Sequence, residues 1–114
     1  QTGLQLYRKQ EYLQALEKFK RLFNKYSEDT LAGNFVYWIG ESYYGLEIFK
    51  KAAEYFDRME NYPESSKRDD ALLMLGHCYR RMGDTEKAKH IYRKLISQFP
   101  DSEYIENKHL QQYY

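Results

Sequence analysis

One pattern of small and aromatic residues recurs along this chain and constrains its fold more than any other feature. Gly40, Tyr43, Ala52, Phe56 and Tyr62-Pro63 form one copy, and Gly76, Tyr79, Ala88, Tyr92 and Phe99-Pro100 form the next. A weaker copy runs through Gly3, Leu6, Ala15, Phe19 and Tyr26-Ser27. The three glycines lie 37 and 36 residues apart. At such a period a unit cannot bury its apolar face alone and must stack on its neighbours. Within each copy the apolar residues fall at helical spacing. Val36, Ile39, Gly40 and Tyr43 share one face, as do Leu72, Leu75, Gly76 and Tyr79; Ala52, Phe56 and Met59, then Ala88, Tyr92, Leu95 and Ile96, follow them. The pattern predicts an all-α array of helix pairs, with any function on its surface.

Breakers divide the array. Gly83-Asp84 supplies a turn and then an N-cap for a helix from Thr85. Tyr62-Pro63-Glu64-Ser65 and Phe99-Pro100-Asp101-Ser102 each end one helix and start another, because proline disfavours helix at the residue before it. The reading predicts helices over 1–9, 12–25, 29–45, 49–61, 66–82, 85–98 and 102–113. These make one domain over 1–114, with units at 1–27, 28–64 and 65–101 and a terminal helix at 102–114. Gly40 and Gly76 are expected where the first helix of a pair crosses the second, at Ala52 and Ala88, since mid-helix glycine costs about 1 kcal/mol and close packing would offset it. Tyr113 stands where the terminal helix should carry the small residue. It is read as a cap or, with Tyr114, as an oligomer contact, ahead of a truncated further repeat. Gly3 has two residues before it where the later units have about a dozen, so the chain reads as beginning in mid-helix, excised from a longer protein.

Composition removes several function classes. The net charge is +1, with 18 basic and 17 acidic residues, which leaves no electrostatic footprint for nucleic acid or an anionic membrane. The longest apolar runs, 35–39 and 71–75, are far too short to span a bilayer, so no direct membrane insertion is expected. Cys78 is the single cysteine, which rules out an internal disulfide and reads as a small packed residue. His77, His90 and His109 are scattered singly and match no metal-ligand spacing, with His90 expected on an exposed face. The glycines form no phosphate-cradling loop, and Ser42 and Cys78 have no base arranged beside them. Asp29 and Asp69-Asp70 read as early-helix charges favoured by the macrodipole. No catalytic residue, cofactor or metal site is assigned.

The quoted residues resemble the tetratricopeptide repeat, whose pattern places a small residue eighth, a tyrosine eleventh, an alanine twentieth and an aromatic twenty-fourth. Gly40, Tyr43, Ala52 and Phe56 match it, as do Gly76, Tyr79, Ala88 and Tyr92. Val36 and Leu72 depart from it at the usual tryptophan position, and the period exceeds the commonest 34 residues. The resemblance implies a right-handed solenoid of about three helix-turn-helix pairs plus a C-terminal helix. The longer period, the two aromatic-Pro-x-Ser turns and the stretch Tyr37-Trp38-Ile39-Gly40-Glu41-Ser42-Tyr43-Tyr44 are similar to a bacterial subgroup. That subgroup includes the repeat domain of the Tol–Pal cell-division coordinator and outer-membrane assembly lipoproteins. It implies a periplasmic or outer-membrane setting, with the cytoplasm as the alternative.

In that family the first helix of each pair lines a concave face that binds a protein or peptide. The resemblance places Asn34, Asp70 and Asn107 in one column of that face, and Tyr37, Leu73 and Leu110 in a second. Leu4, Glu41 and His77 form a third, Tyr7, Tyr44 and Arg80 a fourth, and Arg8, Gly45 and Arg81 a fifth. Tyrosine and arginine there would offer contact area with a polar handle, suited to a peptide with apolar anchors and an acidic residue. The chaperone-clamping mode of the family is not expected, because Tyr37, Glu41, Leu73 and His77 cannot supply its lysine and asparagine donors. Two other roles fit the same sequence: a structural spacer or self-association module working through its stacking edges, and a regulatory segment of a multidomain enzyme.

Overall fold

The computed structural model describes residues 1–113; Tyr114 and the side chains of Lys108 and His109 lie outside that description, as do the expectations attached to His109 and Tyr114. Seven α-helices follow in chain order among the described residues: α1 Gly3–Arg8, α2 Tyr12–Lys25, α3 Ala32–Gly45, α4 Phe49–Asp57, α5 Arg68–Arg81, α6 Thr85–Gln98 and α7 Lys108–Gln111. Single 3₁₀ turns at Arg58–Asn61 and Glu103–Glu106 extend α4 and precede α7. Each helix from α1 to α6 packs on the next one in the chain, giving a stack of 40 × 28 × 20 Å. No described helix is long and apolar enough to cross a membrane.

The repeating glycines permit the close pairing, although their partner differs from expectation. A Cβ on Gly40 would stand 2.8 Å from the Phe56 ring, one on Gly76 2.3 Å from Tyr92, and one on Gly3 2.6 Å from Phe19. The aromatic one helical turn beyond each alanine therefore fills the crossing. Ala15, Ala52 and Ala88 are buried beside it. Gly33 and Gly45, to which no crossing was assigned, are equally close to Tyr62 and Tyr12.

The inter-helix turns share one geometry in all three units. Gln10 and Glu47 have φ of 63° and 60°, and Gly83 has 82°. In each, the N–H after this residue reaches back to the first helix: Glu11 to the Leu6 carbonyl, Ile48 to Tyr43 and Asp84 to Tyr79. This is the Schellman closure, which wants glycine at the left-handed position. Only the third unit supplies one. Asp84 then caps α6 by accepting the Lys87 N–H at 3.1 Å, as its position predicts.

Boundaries move where side chains compete with the helix. The Asp29 carboxylate accepts the Leu31 N–H at 2.8 Å, so Asp29 sits in a turn before α3 and not in its first helical turn. The Ser65 hydroxyl accepts the Lys67 N–H at 3.1 Å, and α5 begins at Arg68. The segment expected as one helix over 102–113 is divided at Asn107, whose backbone is extended at φ −66°, ψ 131°. Leu110 is nevertheless fully buried with Leu73, Ala88, Tyr92 and Leu95. The Tyr113 ring lies 5.2 Å from Tyr92 and covers it.

Candidate functional site

The helices α1, α3 and α5 carry the residues assigned to the concave face, and the structure sorts them into three groups. Tyr37 and Leu73 are core residues, 6 and 7 % exposed. Tyr37 packs edge-on to Trp38 at 5.1 Å and against Phe56 at 5.7 Å, and Leu73 joins the C-terminal cluster. This column supports the face from beneath. A second group is half-buried with its rings held: Tyr7 lies edge-on to Tyr12 and Trp38, Tyr44 edge-on to Phe49 at 5.1 Å, and His77 edge-on to Tyr92. Asn34 and Asp70 are half-buried too. Arg8, Arg80 and Arg81 are exposed at the edge. Arg81 is already engaged, pairing with Glu47 at 3.2 Å and lying 4.6 Å over the Phe49 ring.

Hydrogen bonds tie the columns together across units. The Tyr7 hydroxyl donates to Glu41 Oε2 at 3.0 Å, and Ser65 donates to Asn34 Oδ1 at 2.8 Å. Ser102 donates to Asp69 at 2.8 Å, and the Tyr104 hydroxyl donates to Asp70. His77 Nδ1 and the Tyr92 hydroxyl share a bond of 2.6 Å within one unit. Tyr104, Lys67, Ser65 and Ser102 were not singled out as site residues. The two serines close the aromatic-Pro-x-Ser turns, so the turn phrase was their signal. Tyr104 and Lys67 are 37 residues apart, the repeat spacing, and an alignment of the units would have paired them.

Glu41 is the centre of this arrangement. It is 9 % exposed, and its Oε1 is buried with no hydrogen-bond partner. Burial pushes its carboxyl up from 4.5 to about 7, with the Asp70 charge adding to the rise. The Tyr7 hydrogen bond, the Lys67 charge and the Tyr37 hydroxyl oppose it. Burial also raises Asp70, against the Tyr104 hydrogen bond, and raises the phenols of Tyr7, Tyr37 and Tyr104. The Lys67 ammonium lies over the Tyr37 and Trp38 rings, 5.6 Å from each.

The described residues contain no group of three or more His, Cys, Asp or Glu able to hold a metal ion. Cys78 is buried, and burial pushes its thiol up to about 12, which keeps it protonated and unreactive. His90 is exposed.

Stacked antiparallel helix pairs, closed by the same turn and crossed at the same glycine, define a helical-repeat solenoid. A family model for the tetratricopeptide repeat matches residues 36–65 and 70–102. The chain belongs to the tetratricopeptide-repeat family. Over 55 residues it is also 38 % identical to the general transcriptional corepressor trfA of Dictyostelium discoideum, a stretch that makes up 48 % of this chain and 4 % of that protein.

Proposed function

We infer that this chain is a protein–protein interaction module that seats a partner segment across α1, α3 and α5. The observation that carries the reading is the row of Tyr7, Tyr44 and His77 on successive first helices, each half-buried, with arginines at the edge. Their rings are held by Trp38, Phe49 and Tyr92, so binding orders few side chains, and rigid aromatics of this kind make strong contacts at low entropic cost. Membership of a repeat family whose members bind proteins supports it. An envelope assembly is the setting that the aromatic-Pro-x-Ser turns suggest, and it rests on those turns. The corepressor's name offers transcriptional regulation as another setting for the same repeat.

Site-specific photocrosslinking in the native cell tests the reading, with probes at Tyr44 and Arg80 and, as a control, at exposed Arg93 on α6. A saturable adduct to one protein from the first two positions, absent from the third, is expected. Adducts to the chain itself would transfer the function to self-association, and equal adducts from all three would remove the face from consideration.

A further inference from the structure

Glu41 is a buried carboxylate beneath the proposed face. Burying a carboxylate with one oxygen unpaired is costly, and such groups are ordinarily satisfied within the fold. Here Tyr7 donates to Oε2 and Oε1 has no hydrogen-bond partner, while the nearby Tyr37 hydroxyl also favours the charged carboxylate. The surroundings are acidic: Asp70 acts on Glu41, and Asp69 and Glu103 act on Asp70. The cation acting on Glu41 is Lys67, which rests on two aromatic rings and makes no hydrogen bond to Oε1. The middle of the face thus gathers carboxyl groups, one of whose buried oxygens has no hydrogen-bond partner, beneath aromatic surfaces that already carry a cation. The acidic peptide residue suggested by the arginines is the wrong complement for this centre.

We propose that the partner segment carries an arginine whose guanidinium donates to Glu41 Oε1 and stacks on the tyrosine rings around it. This rests on the preceding reading of the face and adds its specificity. Arginine fits better than lysine because its planar fork can donate to a carboxylate while its flat face lies on an aromatic ring. Oε1 is buried, so reaching it requires side chains of the face to change rotamer, as is common at interfaces; where Tyr7 moves aside, the second N–H of the guanidinium fork takes over its hydrogen bond to Oε2. Lys67 is displaced toward solvent in the same step.

The test is selection from a random-peptide phage library on the 114-residue chain and, in parallel, on its Glu41→Gln variant. The wild type is expected to enrich peptides with arginine at one fixed position, and the variant to lose that preference. For a synthesised winner, replacing the arginine with neutral, isosteric citrulline should weaken binding at least about tenfold on the wild type and less than about twofold on Glu41→Gln, because a charge-assisted bond exists only in the first. Selected peptides without a fixed basic position, or an equal citrulline penalty on both proteins, would overturn the arginine assignment and leave the binding face standing. Failure to enrich any peptide, or winners whose binding survives Tyr44→Ala and crosslinks only from Arg93, would overturn both. Circular dichroism of Glu41→Gln verifies that the variant is folded.

Discussion

Replacing Glu41 with glutamine should make this protein more stable, and only where the carboxyl would be ionised. The native carboxyl titrates at about 7 against an ordinary 4.5, so between those values the folded state holds a proton that the unfolded chain has lost. Stability is then greatest below the unfolded value, falls as pH rises through this window and levels off above the folded value. Since a factor of ten in proton affinity is about 1.4 kcal/mol, the ionised Glu41 costs the fold about 3 kcal/mol at pH near 8. Glutamine keeps an oxygen for the Tyr7 hydroxyl and carries no charge. The variant should therefore gain about 2–3 kcal/mol near pH 8 and less than about 1 kcal/mol near pH 5. Asp70 is raised as well, and exposed Glu60 is lowered by Lys94. Glu60 remains in the variant and cancels in the comparison; Asp70, which Glu41 repels, is relieved when that charge is removed and adds to the gain in the same direction. Urea unfolding followed by circular dichroism reads the difference as a midpoint shift of about 1 M or more at the higher pH. A variant no more stable than wild type near pH 8 would refute the reasoning, because it would mean that the buried charge is already neutralised.

Four further expectations test the scaffold and the face. Gly76→Ala should lower stability by about 1–3 kcal/mol, since its Cβ would stand 2.3 Å from a Tyr92 ring held by His77 and Tyr113; an unchanged denaturation midpoint would remove the crossing glycine from the account. Ala52→Leu, at a fully buried position, should cost a similar 1–3 kcal/mol or so by overpacking, read in the same titration. Gln10→Gly should raise the melting temperature, because relief of the left-handed strain outweighs the entropy that glycine adds by about 0.5–1 kcal/mol; a lower melting temperature would count against the shared turn geometry. Tyr44→Ala should weaken a selected peptide by about tenfold while changing stability much less, and an equal loss in both would return Tyr44 to the core.

The repeat spacing made the helix pairs legible and marked the glycines as crossing points, because a mid-helix glycine is costly unless close packing offsets it; that Phe56 and Tyr92 face those glycines was not read from it. What it hid follows from the same physics. Gln10 and Glu47 adopt the turn geometry without the residue that advertises it, so the turn was visible only at Gly83. Tyr37 and Leu73 read as surface residues because the family resemblance places their column on the concave face, yet both are buried. The terminal helix read over 102–113 concealed the extended Asn107 and with it the Tyr104–Asp70 bond. The state of Glu41 depends on tyrosines from other turns and units, and no pattern within one unit encodes it.

Glu41 and His77 occupy the same slot in successive units, 36 residues apart, and they are used differently. His77 closes on Tyr92 of its own unit, whereas Glu41 takes its bond from Tyr7 in the preceding unit and leaves an oxygen unmatched. The residues that repeat, Gly40 with Gly76 and Phe56 with Tyr92, are those that hold the helices together. The slot that fails to repeat carries the unmatched acceptor. In a stack whose units share one scaffold, recognition has to come from such departures, because a feature present in every unit offers a partner no fixed register. Glu41 supplies that register at the boundary between α1 and α3, and the stability it costs near neutral pH is what an incoming cation would restore.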